Sequence, residues 1–216
     1  MFQQVARELP PDVTHYFGLS LASLVDSCRA VIRSSNTLGK DGAAPVEIVF
    51  PFVLSPTHPI KIVSGGQTGA DRGALDAALA AGVLCGGWCP HDRMAEDGPI
   101  DPKYPVTPLP GAGYRERTRK NVQDSDATVL FSFGPPDGGT LVTLDDCQAF
   151  RKPHLLIDAA THTPDQAAAS ILAFIRREQI HTLNIAGPRA SREPRIYEYV
   201  LEVTAKVLAV VQNVPI

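Results

Sequence analysis

The residues best suited to chemistry are Ser64-Gly65-Gly66-Gln67-Thr68-Gly69-Ala70-Asp71, which follow the apolar run Ile60 to Val63. A strand that ends in a glycine-rich turn and opens a helix aims free backbone N–H groups and the positive end of the helix dipole at one spot. Phosphate is the natural occupant. The competing reading is a plain helix cap, with Thr68 or Asp71 satisfying the first-turn amides. The pattern is neither the Walker sequence nor G-x-G-x-x-G.

Two further turns repeat the layout. Phe133-Gly134-Pro135-Pro136-Asp137-Gly138-Gly139-Thr140 is again strand, glycine turn and helix, with Thr140 at the helix mouth. Asn184-Ile185-Ala186-Gly187-Pro188-Arg189-Ala190-Ser191 places Arg189 in a turn, where a guanidinium suits a phosphate or carboxylate, and Ser191 as a helix N-cap. Each turn alone reads equally as ordinary connecting structure. Three at the C-terminal ends of parallel strands read as one cleft.

The stretch Cys85 to Gly98 adds Trp88, a flat face for a heterocycle, the charge of Arg93, and Glu96 and Asp97 as acceptors. Cys89 and His91 are too few and wrongly spaced for a metal site, so none is expected. Arg115 and Arg119 share a helix face at i, i+4 and extend a positive field toward an anion, or form a solvated surface with Glu116.

These residues need a parallel sheet to hold them. Strands are expected at Ile60 to Val63, Val83 to Gly87, Thr128 to Phe133, His154 to Ile157 and Thr182 to Ala186. Helices are expected at 71–81, 114–124, 140–150 and 164–178, with a last one following Ser191. Residues 88–113, rich in proline, read as one long loop. The alternation means an α/β protein, a mainly parallel five-stranded sheet covered on both faces. Residues 1–59 carry no chemical motif and read as an N-terminal extension, with a helix at 16–32 and a strand at 46–50; residues 60–216 form the ligand-binding domain.

The chain has 216 residues, 44% hydrophobic and 20% charged, with a net charge of −3. That balance argues against nucleic acid or anionic membrane as a bulk partner. Four cysteines, no apparent secretion signal and no long apolar run suggest a reduced, cytoplasmic protein.

At SGGQTGADRGALDAAL, GGWCP, AEDGPI, DSDATVLF, GGTLVTL and NIAGPRAS the chain resembles the molybdenum (molybdenum cofactor) carrier proteins. These are a circularly permuted branch of the SLOG superfamily, Rossmann-like relatives of the cytokinin-activating phosphoribohydrolases. The likeness spans about residues 60–207. It implies that the 182–186 strand lies centrally, for a sheet order of 2-1-5-3-4 by strand number. It also implies binding of molybdenum cofactor, a pterin dithiolene phosphate, for storage, protection and hand-over to molybdoenzymes, by a homo-oligomer. Carried over by position, Ser64, Gly65, Gly66, Gln67, Thr68, Gly69 and Asp71 would line one wall. Gly138, Gly139 and Thr140 would form a second, and Gly187, Arg189 and Ser191 a third. Trp88, Cys89 and Arg93 would belong to the loop, where His91 and Asp92 replace a Lys-Gly pair and remove one positive charge. The alternatives are a nucleotide or NAD-derivative sensor, and, ranked last, a nucleoside-monophosphate phosphoribohydrolase. The hydrolase motif PGGxGTxxE ends in a glutamate. Thr143 stands there in this chain, which leaves no catalytic residue to assign and weighs against an enzyme.

Overall fold

A computed structural model describes residues 60–212, and the expectations for 1–59 lie outside them. The elements are β1 (Lys61–Val63), α1 (Ala70–Ala80), β2 (Cys85–Cys89), β3 (Met94–Ala95), β4 (Gly98–Pro99), β5 (Val106–Pro108), α2 (Tyr114–Asp124), β6 (Ala127–Ser132), α3 (Gly138–Ala149), β7 (His154–Asp158), α4 (Pro164–Glu178), β8 (Thr182–Ala186) and α5 (Ile196–Gln212).

Six strands form one sheet in the order β5-β2-β1-β8-β6-β7. Every pairing within it is parallel. The five expected strands stand in the order anticipated, and β5 extends one edge. That strand lies inside the segment read as loop. Val106-Thr107 is framed by Pro105 and Pro108, and proline is tolerated at an edge where no ladder bond is lost. Pairing with β5 also moves β2 to Cys85–Cys89, two residues later than expected, because Gly87, Trp88 and Cys89 stand opposite Val106, Thr107 and Pro108.

Alternation along the central strands separates two helical layers. Val129, Phe131, Leu183 and Ile185 point into the main core with Ile62 and Ile157. Ala70, Ala74 and Ala78 of α1, Ile171 and Phe174 of α4, and Val200, Val203 and Val207 of α5 close over them. On the opposite side Asn184 donates to the Thr128 hydroxyl at 3.2 Å, beneath the face where α2 packs on α3. A smaller core of Leu75, Cys89, Ala95, Ile100, Tyr104 and Val106 lies under the β3–β4 hairpin. The result is a Rossmann-like α/β/α arrangement.

Local signals set the helix ends. The Thr163 hydroxyl accepts from the Gln166 amide, Gln166 reaches back to the Thr163 amide, and Pro164 occupies the first turn of α4. α5 begins at Ile196, five residues beyond Ser191, so Ser191 is not its N-cap. Residues 189–193 form a separate turn in which Arg192 and Glu193 amides donate to the Arg189 carbonyl, and Pro194 precedes the helix. Among the described residues no helix is long and apolar enough to cross a membrane.

Candidate functional site

Strands β1, β8 and β6 are neighbours running the same way, so the three glycine turns that follow them stand side by side. A cleft of about 350 Å³ opens between them and α2. Of the residues expected there, Gln67, Asp71, Gly139, Thr140, Gly187 and Arg189 line it. Ser64, Gly65, Gly66, Thr68, Gly69, Gly138 and Ser191 stand behind or beside its walls. Ser64 is fully buried and its hydroxyl donates to the Ile185 carbonyl at 2.7 Å, tying β1 to β8.

The first turn is less of a phosphate cradle than its glycines imply. Its Gln67 amide donates to the Asp71 carboxylate at 3.2 Å, its Thr68 amide to the Gln67 side chain at 3.0 Å, and Ala70 to the Pro188 carbonyl at 3.2 Å. Three donors are therefore consumed within the protein, although not by a helix cap: the N-cap position is Gly69, and neither Thr68 nor Asp71 accepts a first-turn amide of α1. The wall presents Asp71, an acceptor, to the cleft.

The positive groups come from elsewhere. Arg117 of α2 is buried, and its Nη1 lies 3.1 Å from the Asp71 carboxylate. Its Nε has no hydrogen-bond partner among the described residues, although it is shielded from solvent. A buried guanidinium N–H without an acceptor is costly. Arg115, Arg189 and Arg192 complete a positive rim, with Arg192 Nη2 2.8 Å from Asp137. Tyr114, half exposed at the edge, offers an aromatic face.

Arg117 is absent from the expected site residues, and the helix pattern does not mark it. Val122 is the single aliphatic residue of α2, and Arg117, five residues away, stands about 140° round the helix from it; its burial comes from the packing of the whole helix. Arg115 and Arg119 do not act together. Arg119 instead lies over the Phe150 ring, 4.9 Å from its centroid.

Three expected contributors sit outside the cleft. Trp88 donates its indole N–H to Asp124 at 2.7 Å, on the outer side of α2. Cys89 is fully buried in the smaller core, and burial pushes its thiol pKa up, keeping it neutral. Arg93 has φ of 54° and spends its guanidinium on four carbonyls, those of Ile100, Asp101, Tyr104 and Val106, at 2.6–3.2 Å. Its role is to hold the 93–106 loop. Arg93→Met is expected to lower stability by about 2–3 kcal/mol in urea denaturation, with ligand affinity unchanged. A weakened affinity at intact stability would return Arg93 to the binding residues.

Thr143 lines the cleft, but its hydroxyl donates to the Gly139 carbonyl at 2.8 Å within α3. The carboxylates there are Asp71 and Asp137, each already paired with an arginine. Among the described residues no group of three or more His, Cys, Asp or Glu is placed to hold a metal ion. The cleft is thus lined by Arg115, Arg117, Arg189 and Arg192, with Thr140 in the first turn of α3.

Comparison with known proteins agrees with this architecture. The chain matches the circularly permutated YpsA SLOG family over residues 62–208. A crystal structure described as that of a "Putative molybdenum carrier protein" from Syntrophus aciditrophicus SB is 41% identical, with a TM-score of 0.68, covering 69% of this chain and 95% of its own. No curated protein matches the chain.

Proposed function

Since the chain belongs to the circularly permutated YpsA SLOG family, we propose that its cleft binds a phosphorylated small molecule, molybdenum cofactor first among candidates, and carries it without turning it over. The observation that carries this reading is Arg117, a buried guanidinium at the cleft wall whose Nε lacks an acceptor. A phosphate would balance the charge that Arg117 and the rim of Arg115, Arg189 and Arg192 bring to the cleft, and a small shift of the guanidinium would let an oxygen reach its Nε. The volume of about 350 Å³ lies at the small end of the range for small-molecule sites. The name of the Syntrophus aciditrophicus neighbour supports molybdenum carriage specifically.

Carriage is favoured over hydrolysis by the carboxylate inventory. Thr143 offers no negative charge to an oxocarbenium-like centre, and Asp71 and Asp137 are each neutralised by an arginine. Molybdoenzymes would be the recipients, and a homo-oligomer the working state.

The test is a thermal-shift panel that sets molybdenum cofactor beside nucleotides, together with fluorescence of the purified, oxidised protein. The expected result is a retained fluorescent pterin and stabilisation by the cofactor. Pterin-free protein stabilised tightly by a nucleotide instead would sink carriage of molybdenum cofactor and favour the sensor reading. Release of free base from AMP would restore the enzyme reading.

A further inference from the structure

Beside the cleft, a carboxylate of the protein itself occupies what is chemically an anion seat. Glu96 sits at the turn of the β3–β4 hairpin. Its carboxylate accepts from the hydroxyls of Thr68 and Ser191 and from the Ser191 amide at 3.1 Å, with Arg189 Nε 3.3 Å away. Two hydroxyls, a backbone amide and a guanidinium are the donor set that recognises a tetrahedral oxyanion. They come from two different glycine turns, at 68 and 189–191, and meet only because β1 and β8 are paired.

Arg189 belongs to both places, lining the cleft and contacting Glu96. Its side chain is 52% exposed, so the ion pair is well solvated and weakly held. The Glu96 side chain is only 17% exposed, and the pull on its charge is concerted. Burial works against ionisation, yet hydrogen bonds from Ser191 and Thr68 and the charge of Arg189 hold its pKa below the usual carboxylate value. Glu96 therefore stays ionised near neutral pH. The hairpin is tethered at two other points, by the Glu96 amide donating to the Gln67 side chain at 2.9 Å and by a bidentate Arg72–Asp97 pair at 2.6 and 2.8 Å.

We propose that Glu96 is a built-in occupant of a second oxyanion seat formed by Thr68, Ser191 and Arg189, and that a phosphate group entering the cleft displaces it and releases the β3–β4 hairpin. The inference rests on the cleft being an anion site. The exchange is one anion for another on the same donors, so no donor is stranded while Glu96 moves into water. The hairpin acts as a strap, closed while the cleft is empty of phosphate.

The closing experiment titrates inorganic phosphate by calorimetry into wild type, Glu96→Gln, the Glu96→Gln/Arg189→Gln double variant and Arg117→Gln. Removing the competing charge is expected to tighten phosphate binding roughly tenfold, and the Arg189 change to erase that gain. Equal or weaker binding by Glu96→Gln, with wild type still binding through Arg117, overturns the inference and leaves the cleft reading standing. A gain through Arg189 with no effect of Arg117→Gln leaves an anion seat at Thr68, Ser191 and Arg189 but overturns its displacement from the cleft, together with the cleft reading. No binding by wild type or Glu96→Gln overturns both. Hydrogen exchange on wild type needs no variant: saturating phosphate is expected to speed exchange of amides 94–98. Slowed or unchanged exchange there overturns displacement, even where Glu96→Gln does not fold.

Discussion

Gly65→Ala is expected to cost roughly a hundredfold in ligand affinity and about 2–3 kcal/mol in stability. A Cβ on Gly65 would fall 1.4 Å from Arg117 Nη1 and 2.2 Å from its Cζ. Two atoms cannot share that space, so the guanidinium must leave. The backbone at Gly65 is not in the left-handed region, so alanine itself is not strained there. The damage passes wholly through Arg117. Asp71, buried beside it, loses its counter-charge and keeps only the Gln67 amide. An unpaired buried carboxylate destabilises, and the cleft loses its deepest cation. The measurement is ligand affinity by calorimetry alongside urea denaturation. A double variant, Gly65→Ala with Arg117→Met, should bind no worse than the single one, because both remove the same group. A further large loss in the double variant would mean that Gly65 touches ligand by itself.

Gly69→Ala is expected to be strongly destabilising, by about 4 kcal/mol or more, and to leave little folded protein in warm solution. Gly69 has φ of 77°, and its added Cβ would lie 2.6 Å from the Pro188 carbonyl oxygen and 2.7 Å from the Ala190 amide nitrogen. Both obstacles are backbone, which cannot swing aside as Arg117 can. Relief requires the 64–71 and 187–191 turns to part. That would break the hydrogen bonds from the Ala70 amide to the Pro188 carbonyl and from the Ala190 amide to the Thr68 hydroxyl, at 3.2 and 3.1 Å. The contrast with Gly65 is diagnostic: one glycine makes room for a movable charge, the other for a fixed main chain. A Gly69→Ala protein within about 1 kcal/mol of wild type in urea denaturation would contradict this close approach.

The turns were readable in the sequence because strand, glycine and helix follow one another locally. The order of strands came from family likeness, since residues 182–186 alone carry no sign of standing next to 61–63. The alternative of a helix cap does not hold, because Asp71 accepts the Gln67 amide ahead of the helix and no side chain caps α1. What escaped was tertiary. Arg117 looks like one of several basic residues on a polar helix until α2 lies against β2 and the Gly65 turn. Arg93 looks like a ligand for an anion, but a loop rich in proline leaves its carbonyls without ladder partners, and the guanidinium gathers four of them. In the proline-rich sequence Trp88 and Cys89 read as loop residues. Edge pairing with Val106 to Pro108 makes them strand residues, and alternation then sends one side chain to α2 and the other into a core.

The position of β8 bears on how the domain comes into being. It stands between β1 and β6, yet it is the last strand of the domain to leave the ribosome. The Ser64–Ile185 hydrogen bond closes a separation of 121 residues. Until residues 182–186 emerge, nothing can join β5-β2-β1 to β6-β7, and the inner edges of β1 and β6 have no partner strand. Such edges invite mispairing. A chain halted before residue 182 would therefore be a substrate for chaperones, and the cleft would come into existence in a single late step, when the insertion of one five-residue strand joins the halves.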